Sequence, residues 1–182
     1  MRDVSSLARV EGPNLTLRLI QPEDAGYVHS LRSNPAYNTH LSTVTGTVDD
    51  QRAWIEDYKS REAQGQEFYY VIERKDGTRC GLVRLYEIEA KSFTWGSWVL
   101  DKNKTRKAAL ESAILSFGVG FDALGVQLAN VDVRVANEHA AAFYRRLGME
   151  ETHRTDQDIF FNYTREKFDT DRTHHLKQLS EN

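Results

Sequence analysis

The sequence predicts an α/β (α+β) domain built on a mixed, mostly antiparallel sheet with one crossover unit. Three observations carry that prediction. Short β-rich runs alternate with amphipathic helical stretches. Lys75-Asp76-Gly77-Thr78 is a hairpin turn signal between two β-rich runs. One long helical stretch, about Thr105 to Leu124, is followed by a strand pattern, which is the make-up of a crossover.

Leu15-Thr16-Leu17-Arg18-Leu19-Ile20 alternates as a half-buried strand does. Pro22 suits the first turn of a helix through Ala25, Val28 and Leu31, broken at Ser33-Asn34-Pro35. Thr47-Val48-Asp49-Asp50 reads as a capping box that opens a second helix carrying Trp54, Ile55 and Tyr58. Phe68 to Ile72, Gly81 to Ile88 and Phe93 to Leu100 follow as three strands of an antiparallel meander. In the long helix, Leu110, Ile114, Phe117 and Phe121 fall at helical spacing, and Gly125 stops it. Val131, Val133 and Val135 alternate with Asn130, Asp132 and Arg134, a strand with one buried face. Asn137 to Leu147 is a further helix ended by Gly148, and two short strands near 149–154 and 158–166 complete the order. Residues 1–167 are expected to form one domain and 168–182 a polar C-terminal tail, frayed or a short docking helix, with His174-His175 a solvated pair rather than a metal site.

The 24 Lys+Arg against 27 Asp+Glu leave a net charge of −3, which argues against a general nucleic-acid binder. No apolar run reaches the roughly 18 residues a membrane span needs. The opening residues hold no hydrophobic signal stretch, and Cys80 is the single cysteine, so no disulfide framework exists. The expectation is a cytoplasmic protein, monomer or homodimer, without nucleic-acid or membrane partners.

Two segments carry chemistry. Around the start of the long helix, Lys102, Lys104, Arg106 and Lys107 crowd a strand-to-helix loop. Cations there oppose the helix macrodipole, each at a cost of about 0.3–1 kcal/mol. An anion held by the free N–H groups offsets that cost; a solvated basic turn is the plainer alternative. Further on, Asn137 follows a strand as a good N-cap, and Tyr144 stands seven positions later, before Leu147-Gly148-Met149.

Taken together, Val135-x-Asn137-x-x-Ala140-x-x-x-Tyr144-x-x-x-Gly148-Met149 after a basic strand-loop-helix resembles the GNAT acetyltransferase superfamily, over about residues 14–166. The resemblance implies a sheet splayed between its fourth and fifth strands around an acetyl-CoA cleft. It implies that Val99 and Leu100 pair with the pantetheine arm and that Lys104, Thr105, Arg106, Lys107, Ala108 and Ala109 hold the pyrophosphate. Asn137 would support the cofactor arm, and Tyr144 would protonate the departing thiolate. The loop departs from the family pattern in one respect, with Lys107 where a glycine lets backbone approach phosphate. The cations favour retained binding, with the Lys107 side chain turned aside.

The attacking amine needs a base. Glu87 and Glu89, on one face of a predicted strand, are candidates, and solvated carboxylates are the plainer reading. The segment Leu31-Arg32-Ser33-Asn34-Pro35 with Thr39-His40-Leu41-Ser42-Thr43 is similar to two branches: ribosomal-protein N-terminal acetyltransferases and those that act on nucleotide-linked amino sugars. Trp54-Ile55-Glu56-Asp57 and the degenerate loop favour the amino-sugar branch. His40 and Thr43 are expected at the acceptor. Tyr86 and Trp95, with Trp98, offer stacking faces for a nucleobase, although strand aromatics ordinarily pack. From a different class, Lys107 suggests a non-catalytic acyl-CoA-binding module.

Overall fold

The computed structural model describes residues 5–39 and 46–181. The chain order is β1 (Arg9–Glu11), β2 (Leu15–Leu19), α1 (Ala25–Ser33), α2 (Pro35–Asn38), α3 (Val48–Ala63), β3 (Phe68–Arg74), β4 (Arg79–Tyr86), β5 (Ser92–Leu100), α4 (Ala108–Gly118), β6 (Leu128–Arg134), α5 (Glu138–Leu147), β7 (Glu150–Arg154), β8 (Asp158–Thr164) and α6 (Arg165–Ser180). The strands make one sheet in the order β1-β2-β3-β4-β5-β6-β8-β7, antiparallel everywhere except between β5 and β6. This is the expected fold class, with β1 as an additional edge strand.

The sheet is covered on both faces, which explains why β3 reads as an unbroken apolar run. Phe68, Tyr70 and Ile72 face a core shared with α4, α5 and β8, whereas Tyr69 and Val71 face a second core built with Val28 and Leu31 of α1 and with Ile55 and Tyr58 of α3. The start of α3 is the expected capping box: the Asp50 N–H donates to Thr47 Oγ1 at 3.2 Å, and the Thr47 N–H donates to Asp50 Oδ2 at 2.9 Å.

Local propensity misplaces three features. The helix expected from Thr105 starts at Ala108, which leaves residues 104–107 as loop. Its far end, Val119–Ala123, widens into a π turn. There a Cβ on Gly120 would stand 2.3 Å from the Phe93 ring, so only glycine lets the turn sit on β5. The segment expected as a frayed tail or a short docking helix is the helix α6, 16 residues long and begun at Arg165. Phe168 is 1% exposed against Phe121 and Tyr163, and the supposedly solvated His175 is 4% exposed. These two residues, with the partly buried Leu179 packed on the same core, seat a helix whose remaining surface is mostly polar. Gly148 ends α5 at φ +117 beneath α6, where a Cβ would meet Asp171 Oδ2 at 2.2 Å.

Candidate active site

The parallel pair β5–β6 is joined only where Ser92, Phe93 and Thr94 face Leu128, Ala129 and Asn130. Beyond Thr94 the two strands part, while β5 stays registered to β4 through a bulge at which Ser97 has φ +48. The edge of Gly96–Leu100 that faces β6 therefore has no strand partner among the described residues. Val99 and Leu100 pair with Leu82 and Gly81 of β4 on one side only, and their open side is where the family resemblance puts an extended arm.

A cavity of about 520 Å³ fills the gap. Tyr37 and Thr39 wall it at the end of α2, Trp98 on β5, Asp132 on β6, and Asn137 and Tyr144 on α5. Tyr144 is 6% exposed and packs edge-on to Trp95 at 5.8 Å. Burial, and after it the negative charge of Asp132, push its phenol well above the ordinary tyrosine value, so it holds its proton. Asp132 opens onto the cavity, and crowding by the surrounding protein raises its carboxyl above the usual carboxylate value, with the charges of Asp158 and Glu87 adding to the rise. A carboxylate with raised proton affinity beside a proton-holding phenol is the arrangement that separates a base from an acid. Sequence reading passed over Asp132, since in Asn130, Asp132 and Arg134 it saw only a solvated strand face. Its position five residues before Asn137 was the available signal.

The loop between β5 and α4 is tied down from the helical side. Asp101 is 5% exposed; it accepts from the Tyr27 hydroxyl at 2.7 Å and the Asn103 N–H at 2.8 Å. The Lys102 N–H donates to the Tyr37 hydroxyl at 3.0 Å. Thr105 Oγ1 is buried with no partner among the described residues. The first turn of α4 leaves donors that the helix cannot satisfy, at the positive end of its dipole. Those donors, with exposed Lys104 and Arg106 beside them, fit a diphosphate. Lys107 stands at the N-cap of α4 without a side-chain bond to that helix and sends its ammonium to the carbonyl oxygens of Gln178 and Glu181, turned aside from the loop backbone. Ala108 and Ala109 carry the chain into α4.

Of the other expected site residues, Asn137 caps α5 by accepting from the Ala140 N–H at 3.2 Å and also lines the cavity. Tyr86 lies half-buried over Gly96, at the side of the cavity, with the Arg84 guanidinium 4.4 Å from its ring. Trp95 corrects the expectation of a stacking face. It is fully buried, stacks on Phe117 at 4.7 Å and donates from Nε1 to Ser116 at 2.8 Å, because α4 covers its side of the strand. Glu87 and Glu89 do not share a strand face. β4 ends at Tyr86, Glu87 turns the chain at φ +49 and accepts from Thr94 Oγ1 at 3.0 Å, and Glu89 lines a separate depression with Gln64 and Gln66. His40 and Thr43 lie outside the described residues. No group of three metal-binding side chains occurs among the described residues, and no helix there is long and apolar enough to cross a membrane.

Comparison with known proteins agrees with this geometry. A solved structure described as an apo nucleotide-linked sugar GNAT superposes with a TM-score of 0.86 at 34% identity, over 92% of this chain and 96% of that one. An SPbeta prophage-derived uncharacterized N-acetyltransferase of Bacillus subtilis is 25% identical over 170 residues, 87% of this chain and 94% of that protein. The fold is shared with a spermidine N-acetyltransferase from Vibrio cholerae solved with CoA and spermine, at 19% identity, TM-score 0.75, over 86% of this chain and 99% of that one. The family model for the acetyltransferase (GNAT) domain matches residues 14–150, from the second strand through the Asn137–Tyr144 helix, and the chain belongs to that family, the GNAT N-acetyltransferases.

Proposed function

We propose that this chain acetylates the primary amine of a nucleotide-linked amino sugar at the expense of acetyl-CoA. The placement of Asp132 and Tyr144 in the lining of one cavity carries the chemical part of the reading. Acetyl-CoA, when bound, supplies an acyl thioester activated toward amines. Thr105 and the first turn of α4 bind its diphosphate, and the open edge of β5 holds its arm and offers N–H groups to the thioester oxygen. Asp132 takes the proton from the acceptor ammonium, directly or through one water, and frees the lone pair. Tyr144 gives its proton to the departing sulfur. The full-length likeness to a nucleotide-linked sugar GNAT supports the acceptor class, and Tyr86, held beside the cavity by the Glu67-paired guanidinium of Arg84, supplies an aromatic surface for the nucleotide part.

A polyamine is the second reading, favoured by one observation: Asp132 and Asp158 both line the cavity and attract polycations. Free-thiol release from acetyl-CoA separates the two. The amines to offer are UDP-linked 4-amino sugars, spermidine and spermine, and peptides starting with Ala or Ser. Turnover confined to the nucleotide sugars is the expected result. Turnover with spermidine instead moves the acceptor to polyamines, and CoA binding without thiol release from any amine makes the chain a binding module.

A further inference from the structure

Three charged side chains line the active-site cavity from one face of the sheet: Asp132 and Arg134 of β6 and Asp158 of β8. The period of two along β6 turns Val131 and Val133 into the core and leaves Asp132 and Arg134 side by side on the opposite face. Arg134 stands directly across from Asp158 in the β6–β8 ladder. Facing residues of an antiparallel pair bring their Cβ atoms to about 5 Å, close enough for an arginine and an aspartate to join. These two do not. The side chains of Arg134 and Asp158 make no hydrogen bond or ion pair, to each other or to another described residue. Other strand arginines on this chain are committed: Arg18 to Asp24 at 2.8 Å, and Arg84 to Glu67 at 2.7 Å. Arg134 is thus an unclaimed cation at the wall of the cavity, open to an anion.

Asp132 and Arg134 lie two residues apart, roughly 6.6 Å along the strand at about 3.3 Å per residue. That spacing is comparable to the reach of one pyranose ring with its glycosidic oxygen. We propose that Arg134 is a specificity-determining residue that receives the phosphate joined to the amino sugar, while Asp132 receives the sugar's ammonium. The acceptor is then recognised as a zwitterion, by a carboxylate and a guanidinium held on one strand. The planar guanidinium suits this task, since its fork matches two phosphate oxygens. The inference rests on the nucleotide-sugar reading above and sharpens it. Two acids alone attract a polyamine, but a cation beside them repels a chain of ammonium groups and rewards an amine that carries its own anion.

Steady-state thiol release with a UDP-linked 4-amino sugar, and with the methyl glycoside of the same amino sugar, tests it. Arg134→Gln should raise KM for the UDP-linked sugar at least about tenfold, the scale of a lost hydrogen bond to a charged group, with kcat held. Arg134→Lys should recover part of that loss, because an ammonium keeps the charge and loses the fork. The methyl glycoside has no phosphate, so its kcat/KM should be the same in all three chains. UDP alone should compete with the sugar, with a Ki that rises in Arg134→Gln by the same factor as KM. An unchanged KM and Ki overturn the proposal, as does an equal loss with the methyl glycoside, which would make Arg134 a structural residue. Turnover of spermidine in place of the sugar, improved by Arg134→Gln, is a different result, and it overturns the nucleotide-sugar reading itself.

Discussion

The hydroxyl of Tyr27, on α1, donates to the carboxylate of Asp101, at the end of β5, over 2.7 Å. This bond crosses from the helical layer to the loop that precedes α4, and Asp101 has its second oxygen on the Asn103 N–H. Tyr27→Phe leaves Asp101, 5% exposed, short of a partner. Chemical denaturation should show a loss of about 1–3 kcal/mol, and calorimetry should show weaker CoA binding because the loop loses its tether.

Tyr144→Phe keeps the aromatic packing on Trp95 and removes only the proton donor. Turnover in the thiol-release assay should drop by about 10²–10⁴, the usual worth of general acid catalysis. CoA affinity should be unchanged. A residual rate within about threefold of the unaltered chain, on the same scale, would remove Tyr144 from the chemistry.

Asp132 should set the acid limb of the rate profile. The Asp132 pKa is raised by crowding, then by Asp158 and Glu87, so activity falls as pH drops through a value higher than that of a solvated aspartate. Asp158→Asn removes one of those charges and should move the limb to lower pH. The stability sign is opposite to that of a salt-bridged acid. Folding raises this pKa, so the ionised form opposes folding; the opposition is absent below the unfolded-state value and grows as pH rises through the folded one. Asp132→Asn should therefore melt no lower than the unaltered chain at pH 7, while turnover falls by about a hundredfold or more.

Trp95→Phe tests whether this ring is core or substrate surface. Loss of the bond to Ser116 and of the larger ring's packing volume against Phe117 should cost about 1–3 kcal/mol in denaturant. The KM for the acceptor should not move. A raised KM at unchanged stability would return Trp95 to the acceptor site.

The parts of this molecule legible in the sequence are those fixed by near neighbours: the Thr47 capping box, the Lys75–Thr78 turn, and the Asn137 cap with its Gly148 stop. The misread parts depend on residues far away in sequence. Trp95 is a core residue because α4 lies over that face of β5, which the period of two along a strand does not reveal. Asp132 lines a cavity because β5 and β6 part; the same alternation in a closed sheet would leave it in solvent. The helix α6 is nearly all polar, and Phe168 with His175 seats it through partners on other elements. In the Glu87 turn, a left-handed residue that is not glycine ended a strand that propensity alone would have carried to Ile88.

The short seam between β5 and β6 makes the sheet two plates hinged at one end. Phe93 pairs with Ala129 in that hinge, and behind it the bare Gly120 of the π turn bears on the Phe93 ring. From Phe93 to Val99 the strand runs roughly 20 Å, at about 3.3 Å per residue. The aperture at the mouth is therefore governed from its far end. A methyl group added at Gly120 acts as a wedge under the hinge, and the rearrangement it forces there is carried along β5 to residues that touch neither Gly120 nor Phe93.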